Sequence, residues 1–235
     1  MFSNPENRRQ AIQQFAVNGI DMKSREHLLN TGHWDIRKLP DHTYSKSLES
    51  YYPSDNIDKP LEGVSDRNII DDVEMKKSCI ALVRDFYNDG ADIDFAEKGL
   101  MGRCEIVSDF YESVKDTMGI DAELSFANKP ENVCGGYNPS TNSIELNAKY
   151  LENPDCKELM NTILHESRHA FQQKCIDNPS SVTIKENVID VWADNMRNYI
   201  PPGLDFEAYE NQEIEKDANY FADSVMKKGE DYLYA

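Results

Sequence analysis

Residues 165–169 read His-Glu-Ser-Arg-His, and this H-E-x-x-H string restricts the local fold more than any other part of the sequence. Two imidazoles four positions apart share one face when the backbone is helical, because four residues make roughly one turn. In that arrangement His165 and His169 can bind one metal ion. Glu166, one position along, would face a water molecule held by that metal. The string therefore predicts a helix with a metal site on one face.

The surrounding sequence favours such a helix over residues 154–174. Asn153, Pro154 and Asp155 form a start signal, with a polar cap, a proline suited to the first turn and an acid near the positive end of the dipole. Apolar residues recur at helical spacing and predict a buried side; they are Leu159, Met160, Ile163, Leu164, Ala170 and Phe171. The alternative is an amphipathic helix whose histidines bind nothing.

Charge and hydropathy limit the classes of partner. The 235 residues carry a formal net charge of −18, which disfavours nucleic acid and favours a basic protein or peptide. No apolar run approaches the roughly 20 residues that span a bilayer, so no membrane association is expected. The first ten residues lack an apolar signal core. We expect the protein to be cytoplasmic in the producing cell, or delivered into a target cell as an effector without a Sec signal.

The five cysteines are widely spaced and include no C-x-x-C pair, so the sequence does not predict a structural zinc knuckle. Reduced thiols are the simplest interpretation. Cys134 precedes two glycines and could approach a cleft, but its position favours a buried, inert thiol.

Polarity divides the chain near residue 66. Residues 1–66 are polar and interrupted by prolines, which predicts a partly irregular N-terminal extension with one short helix candidate. Residues 67–235 carry the patterns of a folded domain. Helices are predicted over residues 66–88, 94–118, 154–174, 182–199 and 211–228, and strands over residues 122–126, 134–137 and 143–147. This order predicts the α+β class.

The third strand candidate, residues 143–147, alternates apolar and polar side chains. Ile144 and Leu146 supply the apolar positions, which predicts a half-exposed strand at an edge of the sheet. An edge strand beside the motif helix can pair with the main chain of an extended peptide. The alternative is a plain sheet edge without a ligand.

A catalytic zinc site usually has a third protein ligand. Three upstream histidines in the polar extension are weak candidates: His27, His33 and His42. The last predicted helix offers four acids, which are Glu210, Glu213, Glu215 and Asp217. A carboxylate beside an apolar stripe is costly unless it is paired or metal-bound, and Glu215 lies at the margin of such a stripe. The pattern favours Glu215, with Glu213 as the second candidate and a solvated acidic face as the alternative.

Two sequence features resemble a known family. H-E-x-x-H with a downstream glutamate resembles the gluzincin branch of zinc metallopeptidases. Glu215-x-x-Ala218-Asn219-x-Phe221-Ala222 is similar to the E-x-x-A-N-x-F-A stretch of ImmA/IrrE-type peptidases. In that family the glutamate is the third zinc ligand, which the resemblance places at Glu215. The resemblance covers residues 134–225 and implies a minimal zincin-like fold, with a small, mostly antiparallel sheet whose edge strand binds extended peptide above the motif helix.

Residues and resemblance together predict a zinc-dependent endopeptidase that acts on a protein or peptide substrate. His165, His169 and Glu215 would bind Zn²⁺, and Glu166 would take a proton from a metal-activated water as the general base. The alternative from a different class is a non-catalytic, zinc-stabilised interaction module that docks a basic partner through its acidic surface. The sequence does not indicate an oligomeric state.

Two supporting roles stay open at this level. An additional donor to the oxyanion is expected, and the candidates are Tyr199, Tyr209 and Arg168. Acidic partners that orient the histidines are also expected, and the candidates are Asp190, Asp194 and Asp217.

Overall fold

The computed structural model describes residues 69–231. The predicted extension over residues 1–66 lies outside this range, with its helix candidate and its three histidines. The described residues form seven α-helices: α1 (Asp72–Asn88), α2 (Ala91–Glu97), α3 (Leu100–Met118), α4 (Lys157–Asp177), α5 (Glu186–Arg197), α6 (Phe206–Glu210) and α7 (Glu213–Asp231). They also form three strands: β1 (Glu123–Ala127), β2 (Gly135–Asn138) and β3 (Ser143–Asn147). The predicted α+β class is confirmed.

The motif helix α4 lies at the centre of this arrangement. It begins slightly later than predicted, because the Asp155 carboxylate accepts the backbone N–H of Lys157 at 2.9 Å. Thirteen of its 21 residues are buried, since α3, α5, α7 and the sheet all pack against it. No helix within residues 69–231 is long and apolar enough to cross a membrane.

The helix predicted over residues 94–118 is instead two helices, α2 and α3. Lys98 and Gly99 between them are extended, with ψ of 153° and 171°. The Arg103 guanidinium stabilises this break by donating to four main-chain carbonyl groups, those of Phe95, Ala96, Leu151 and Glu152. Buried apolar residues lie on both sides of the break, as Phe95 on α2 and Val107 on α3, so apolar spacing alone did not locate it. The short helix α6 was also not predicted from the sequence; the Asp205 carboxylate caps it at the Ala208 N–H.

The sheet corrects the prediction for the third strand. The strand order is β1-β3-β2, so β3 is the central strand and not an edge. β2 pairs with β3 antiparallel, whereas β1 pairs with β3 parallel, so the sheet is mixed and not mostly antiparallel. Alternating polarity shows which face of a strand is buried, but it does not show whether other strands pair with one or both of its edges. The hairpin was predicted correctly, but the side on which β1 joins it is a tertiary outcome.

Close approach of the edge strand β2 to the motif helix depends on one glycine. A Cβ atom on Gly135 would lie 2.8 Å from the Thr162 methyl carbon and 3.2 Å from the Glu145 carbonyl oxygen. A Cβ atom on the neighbouring Gly136 would meet nothing within 4 Å. Gly135 therefore sets the spacing between β2 and α4, which form two sides of the cleft described next.

Candidate metal centre

The two motif histidines meet at one point on the face of α4. Their Nε2 atoms are 3.0 Å apart, and their rings are close to perpendicular, at 82°. This convergence follows directly from helical spacing, as the sequence predicts. The structure thus brings His165 and His169 together at the floor of a cleft.

Glu215, in the first turn of α7, is the carboxylate that reaches these histidines. Oε1 lies 3.3 Å from His169 Nε2, and Oε2 lies 3.4 Å from His165 Nε2. The second sequence candidate, Glu213, is instead paired with Lys216 at 3.0 Å. Packing of α7 along α4 therefore distinguishes between two acids that helical spacing alone had left open.

The donor set suits a zinc ion. Ligands placed tetrahedrally about 2.0–2.1 Å from zinc are separated from each other by about 3.3 Å, close to the three separations observed here. Glu215 is fully buried, and within residues 69–231 its Oε2 has no hydrogen-bond donor. A buried carboxylate oxygen without a donor is costly, and a cation among the three side chains would satisfy it.

Burial also affects the pKa values of Glu215 and His169. Burial alone favours the neutral form of Glu215, but the imidazoles of His169 and His165 outweigh it and hold the pKa of that carboxyl well below its usual range. Burial likewise lowers the pKa of His169, yet the Glu215 carboxylate overrides this and raises the pKa to about 9. A positive charge is therefore favoured at this point, as a proton or as a metal ion.

Glu166 lines the cleft beside the two histidines. Its side chain is largely buried, with 8% of the residue exposed. The ligand atoms of His165, Glu166 and His169 lie within 4.8 Å of one another, so proximity alone also makes Glu166 a candidate ligand. Glu215 is the better one, because its oxygens are nearer to both Nε2 atoms. Among the described residues no hydrogen bond or ion pair engages Glu166, which leaves its carboxylate available as a base.

Two tyrosines lie next to Glu215. The Tyr199 hydroxyl donates to Glu215 Oε1 at 2.8 Å, and the Tyr209 ring packs edge-on against Tyr199. Burial, and then the Glu215 carboxylate, raise the pKa of both phenols. Both phenols therefore stay neutral, and the Tyr199 hydrogen is donated to Glu215.

Arg168 points away from the cleft, so it is not an oxyanion donor. The side chain is fully buried and pairs with Asp217 and Asp72. Three aromatic rings surround its guanidinium at 4.9–5.4 Å, those of Phe171, Trp192 and Phe221.

The three acids predicted to orient the histidines lie in different environments. Asp190 is exposed on α5, and Asp194 pairs with Arg197 at the surface. Only Asp217 is buried near the site. Gln172 was not predicted from the sequence, and its Oε1 lies 2.8 Å from His169 Nδ1. Its spacing of three residues from His169 was the available signal.

The cleft above the site has a volume of about 310 Å³. One wall is the β2 hairpin, through Gly136, Tyr137 and Pro139, and the other includes Met196 and the two tyrosines. Within residues 69–231 no lysine or arginine lines it. Cys134 is partly buried, and burial raises the pKa of its thiol, as expected for an inert cysteine. All five cysteines are free thiols.

No protein-family model matches the sequence, and neither the search of curated proteins nor that of solved structures gives a match. The likeness to ImmA/IrrE-type peptidases therefore rests on the quoted residues alone.

Proposed function

We propose that this chain is a zinc-dependent endopeptidase that hydrolyses peptide bonds of a protein substrate. The observation that carries the proposal is the convergence of two Nε2 atoms and a buried carboxylate at separations that suit zinc. A carboxylate that is available as a base lies beside them in an open cleft. A site that only stabilises the fold needs neither the free base nor the cleft.

Each residue of the site would have a distinct chemical role. His165, His169 and Glu215 would hold the metal, which when bound supplies an acidified water and a polarised carbonyl group. Glu166 accepts the proton of the attacking water and then delivers it to the departing amine nitrogen. Tyr199 keeps Glu215 in place through its hydroxyl group, whose one hydrogen is donated to Oε1.

The substrate would lie along β2 and not along β3. β3 is paired on both sides, whereas β2 pairs only with β3 among the described strands and borders the cleft. An extended peptide that adds to this edge would gain main-chain hydrogen bonds with little side-chain selection. The motif helix below would then face the scissile bond.

Replacing the base tests the catalytic half of the proposal. Glu166→Gln keeps the shape of the side chain but cannot accept a proton, so we expect hydrolysis to fall by at least about 10²-fold. The zinc content should stay near one ion per chain by mass spectrometry. Undiminished turnover of a peptide library would exclude Glu166 as the base.

The metal half is tested with two acids from the same helix turn. Glu215→Ala should lose zinc, whereas Glu213→Ala, which removes only a partly exposed pair with Lys216, should retain it. Loss of zinc in the second variant but not in the first would place the ligand at Glu213. If the wild-type protein binds zinc yet hydrolyses no peptide, the zinc-stabilised docking module becomes the better explanation.

A further inference from the structure

The side of His169 that faces away from the cleft is held by a buried hydrogen-bond network. His169 Nδ1 lies 2.8 Å from Gln172 Oε1. The Gln172 amide nitrogen donates to the Ile214 carbonyl oxygen at 3.0 Å and to Asp217 Oδ2 at 2.7 Å. Gln172, Asp217 and His169 are all buried, so each of these polar groups depends on the others for its partners.

The partners determine the orientation of the Gln172 amide. Its two hydrogens point at a carbonyl and a carboxylate oxygen, which can only accept. Rotating the amide by 180° would bring a third acceptor against these two. Oε1 therefore faces His169, and Nδ1 must carry the hydrogen of this bond. The Nε2 lone pair of the neutral imidazole is then directed at the point where Glu215 and His165 meet.

Asp217 is itself fixed in place by the buried arginine of the motif. Arg168 Nε donates to Oδ2 at 2.8 Å, and Nη2 donates to Oδ1 at 3.2 Å. This two-point contact with a planar guanidinium holds both carboxylate oxygens, so Asp217 cannot turn away from Gln172.

We infer that Gln172 and Asp217 are positioning residues of the metal centre, and that Arg168 aims Asp217 so that His169 keeps its Nδ1–H tautomer. The inference rests on the proposed metal site, but it also predicts the tautomer of His169 in the metal-free protein. Arg168 occupies the second x of H-E-x-x-H. It would thus support the site without touching metal or substrate.

Adjacent glutamines provide a matched test. Gln172→Met retains the shape of the side chain and removes its hydrogen bonds. Gln173→Met removes only a surface bond to Asp177. Loss of a residue that orients a ligand weakens metal binding about 10- to 100-fold, so zinc affinity by chelator competition should fall to that extent in Gln172→Met. The zinc affinity should change less than about twofold in Gln173→Met, because Gln173 is not hydrogen-bonded to a proposed metal ligand.

A second readout does not involve metal or turnover. Nitrogen-15 NMR of the zinc-free protein at pH 10, where imidazoles are neutral, should show only the Nδ1–H form of His169 in the wild type. In Gln172→Met both tautomers should be present. A purely structural Gln172 would lower the melting temperature of its variant but leave the zinc affinity and the tautomer unchanged, and that result would overturn the inference.

The wild-type tautomer keeps the test decisive if Gln172→Met fails to fold. An Nε2–H form of His169 at pH 10 would overturn the inference without any variant. Gln172→Glu sets a carboxylate against Asp217 Oδ2 and the Ile214 carbonyl oxygen, so it should also weaken zinc binding; an unchanged zinc affinity would contradict the network. If wild type binds no zinc, the proposed function fails, and the tautomer measurement still decides this inference.

Discussion

At the scale of single residues, the site concentrates charge in a place shielded from water. Glu215 is fully buried and ionised, and the imidazole of His169 is its nearest counter-charge. Burying an unpaired carboxylate would cost several kcal/mol, so the imidazoles and the carboxylate stabilise each other. The same pairing raises the pKa of His169, which would couple metal binding to pH.

We expect zinc binding to release a proton from His169. The pKa of this imidazole is raised to about 9, so below that pH the metal-free protein carries a proton that zinc must displace. Zinc affinity should therefore rise with pH, by about tenfold per unit for one displaced proton, and level off above about pH 9. Titration calorimetry in buffers of different ionisation enthalpy counts the protons released. An affinity that is constant from pH 7 to 8.5 would contradict this assignment.

At the scale of elements, two features hold the walls of the cleft. β2 can approach α4 because Gly135 carries no side chain. On the opposite side of α4, the Arg168 guanidinium bonds to Asp72 on α1 and to Asp217 on α7. The motif helix is thus held between the sheet and two helices by one close contact and one buried ion cluster.

Gly135→Ala should destabilise the domain, because its methyl group would overlap the Thr162 side chain and the Glu145 backbone. Overpacking of this kind costs about 1–3 kcal/mol. Gly136→Ala is the matched control, since its methyl group would enter open space, and it should leave the free energy of unfolding unchanged within about 0.5 kcal/mol. Urea denaturation of both variants makes the comparison. Equal stability of the two would show that β2 can move away from α4 at no cost.

Arg168→Met should lower the free energy of unfolding by about 3–5 kcal/mol, because it removes the fully buried guanidinium that pairs with the buried Asp217 and the partly buried Asp72. Arg197→Met is the control, because its pair with Asp194 is exposed and contributes little. Thermal and denaturant unfolding measure both variants. A loss of less than about 1 kcal/mol in Arg168→Met would mean that water or other groups compensate these carboxylates.

At the scale of the whole molecule, the candidate metal ligands come from two helices that are distant in sequence. His165 and His169 lie on α4, and Glu215 lies on α7, with α5 and α6 between them. Such a set forms only in the folded chain. Metal binding at this candidate site would therefore be linked to folding of the domain.

Removing zinc should lower the melting temperature of the entire domain. A ligand that binds only the folded state at about 1,000 times its Kd adds about 4 kcal/mol of stability. Chelation should remove this increment, and added zinc should restore it, whereas magnesium, which prefers oxygen ligands, should not. Calorimetry of the wild type and of Glu215→Ala shows whether the added stability comes from zinc bound at Glu215. A melting temperature that is equally sensitive to chelator in both proteins would locate the zinc elsewhere.

The local parts of the site could be predicted from the sequence because they depend on helical geometry over a few residues. The spacing of His165 and His169 and the position of Glu166 on α4 needed only the 3.6-residue period. The α+β class and the β2–β3 hairpin followed from patterns of similarly short range. Local spacing also narrowed the third ligand to Glu215 or Glu213.

Tertiary packing decided the rest, because each remaining question concerns groups that are distant in sequence. Packing of α7 on α4 brings Glu215 to the histidines and directs Asp217 towards Gln172 and Arg168. The side on which β1 joins the hairpin makes β3 central and leaves β2 as the edge along the cleft. Polarity along a strand or helix records which face is buried, but not which neighbour buries it. The H-E-x-x-H motif is therefore determined by local sequence, and the candidate metal centre with its supporting network is a property of the fold.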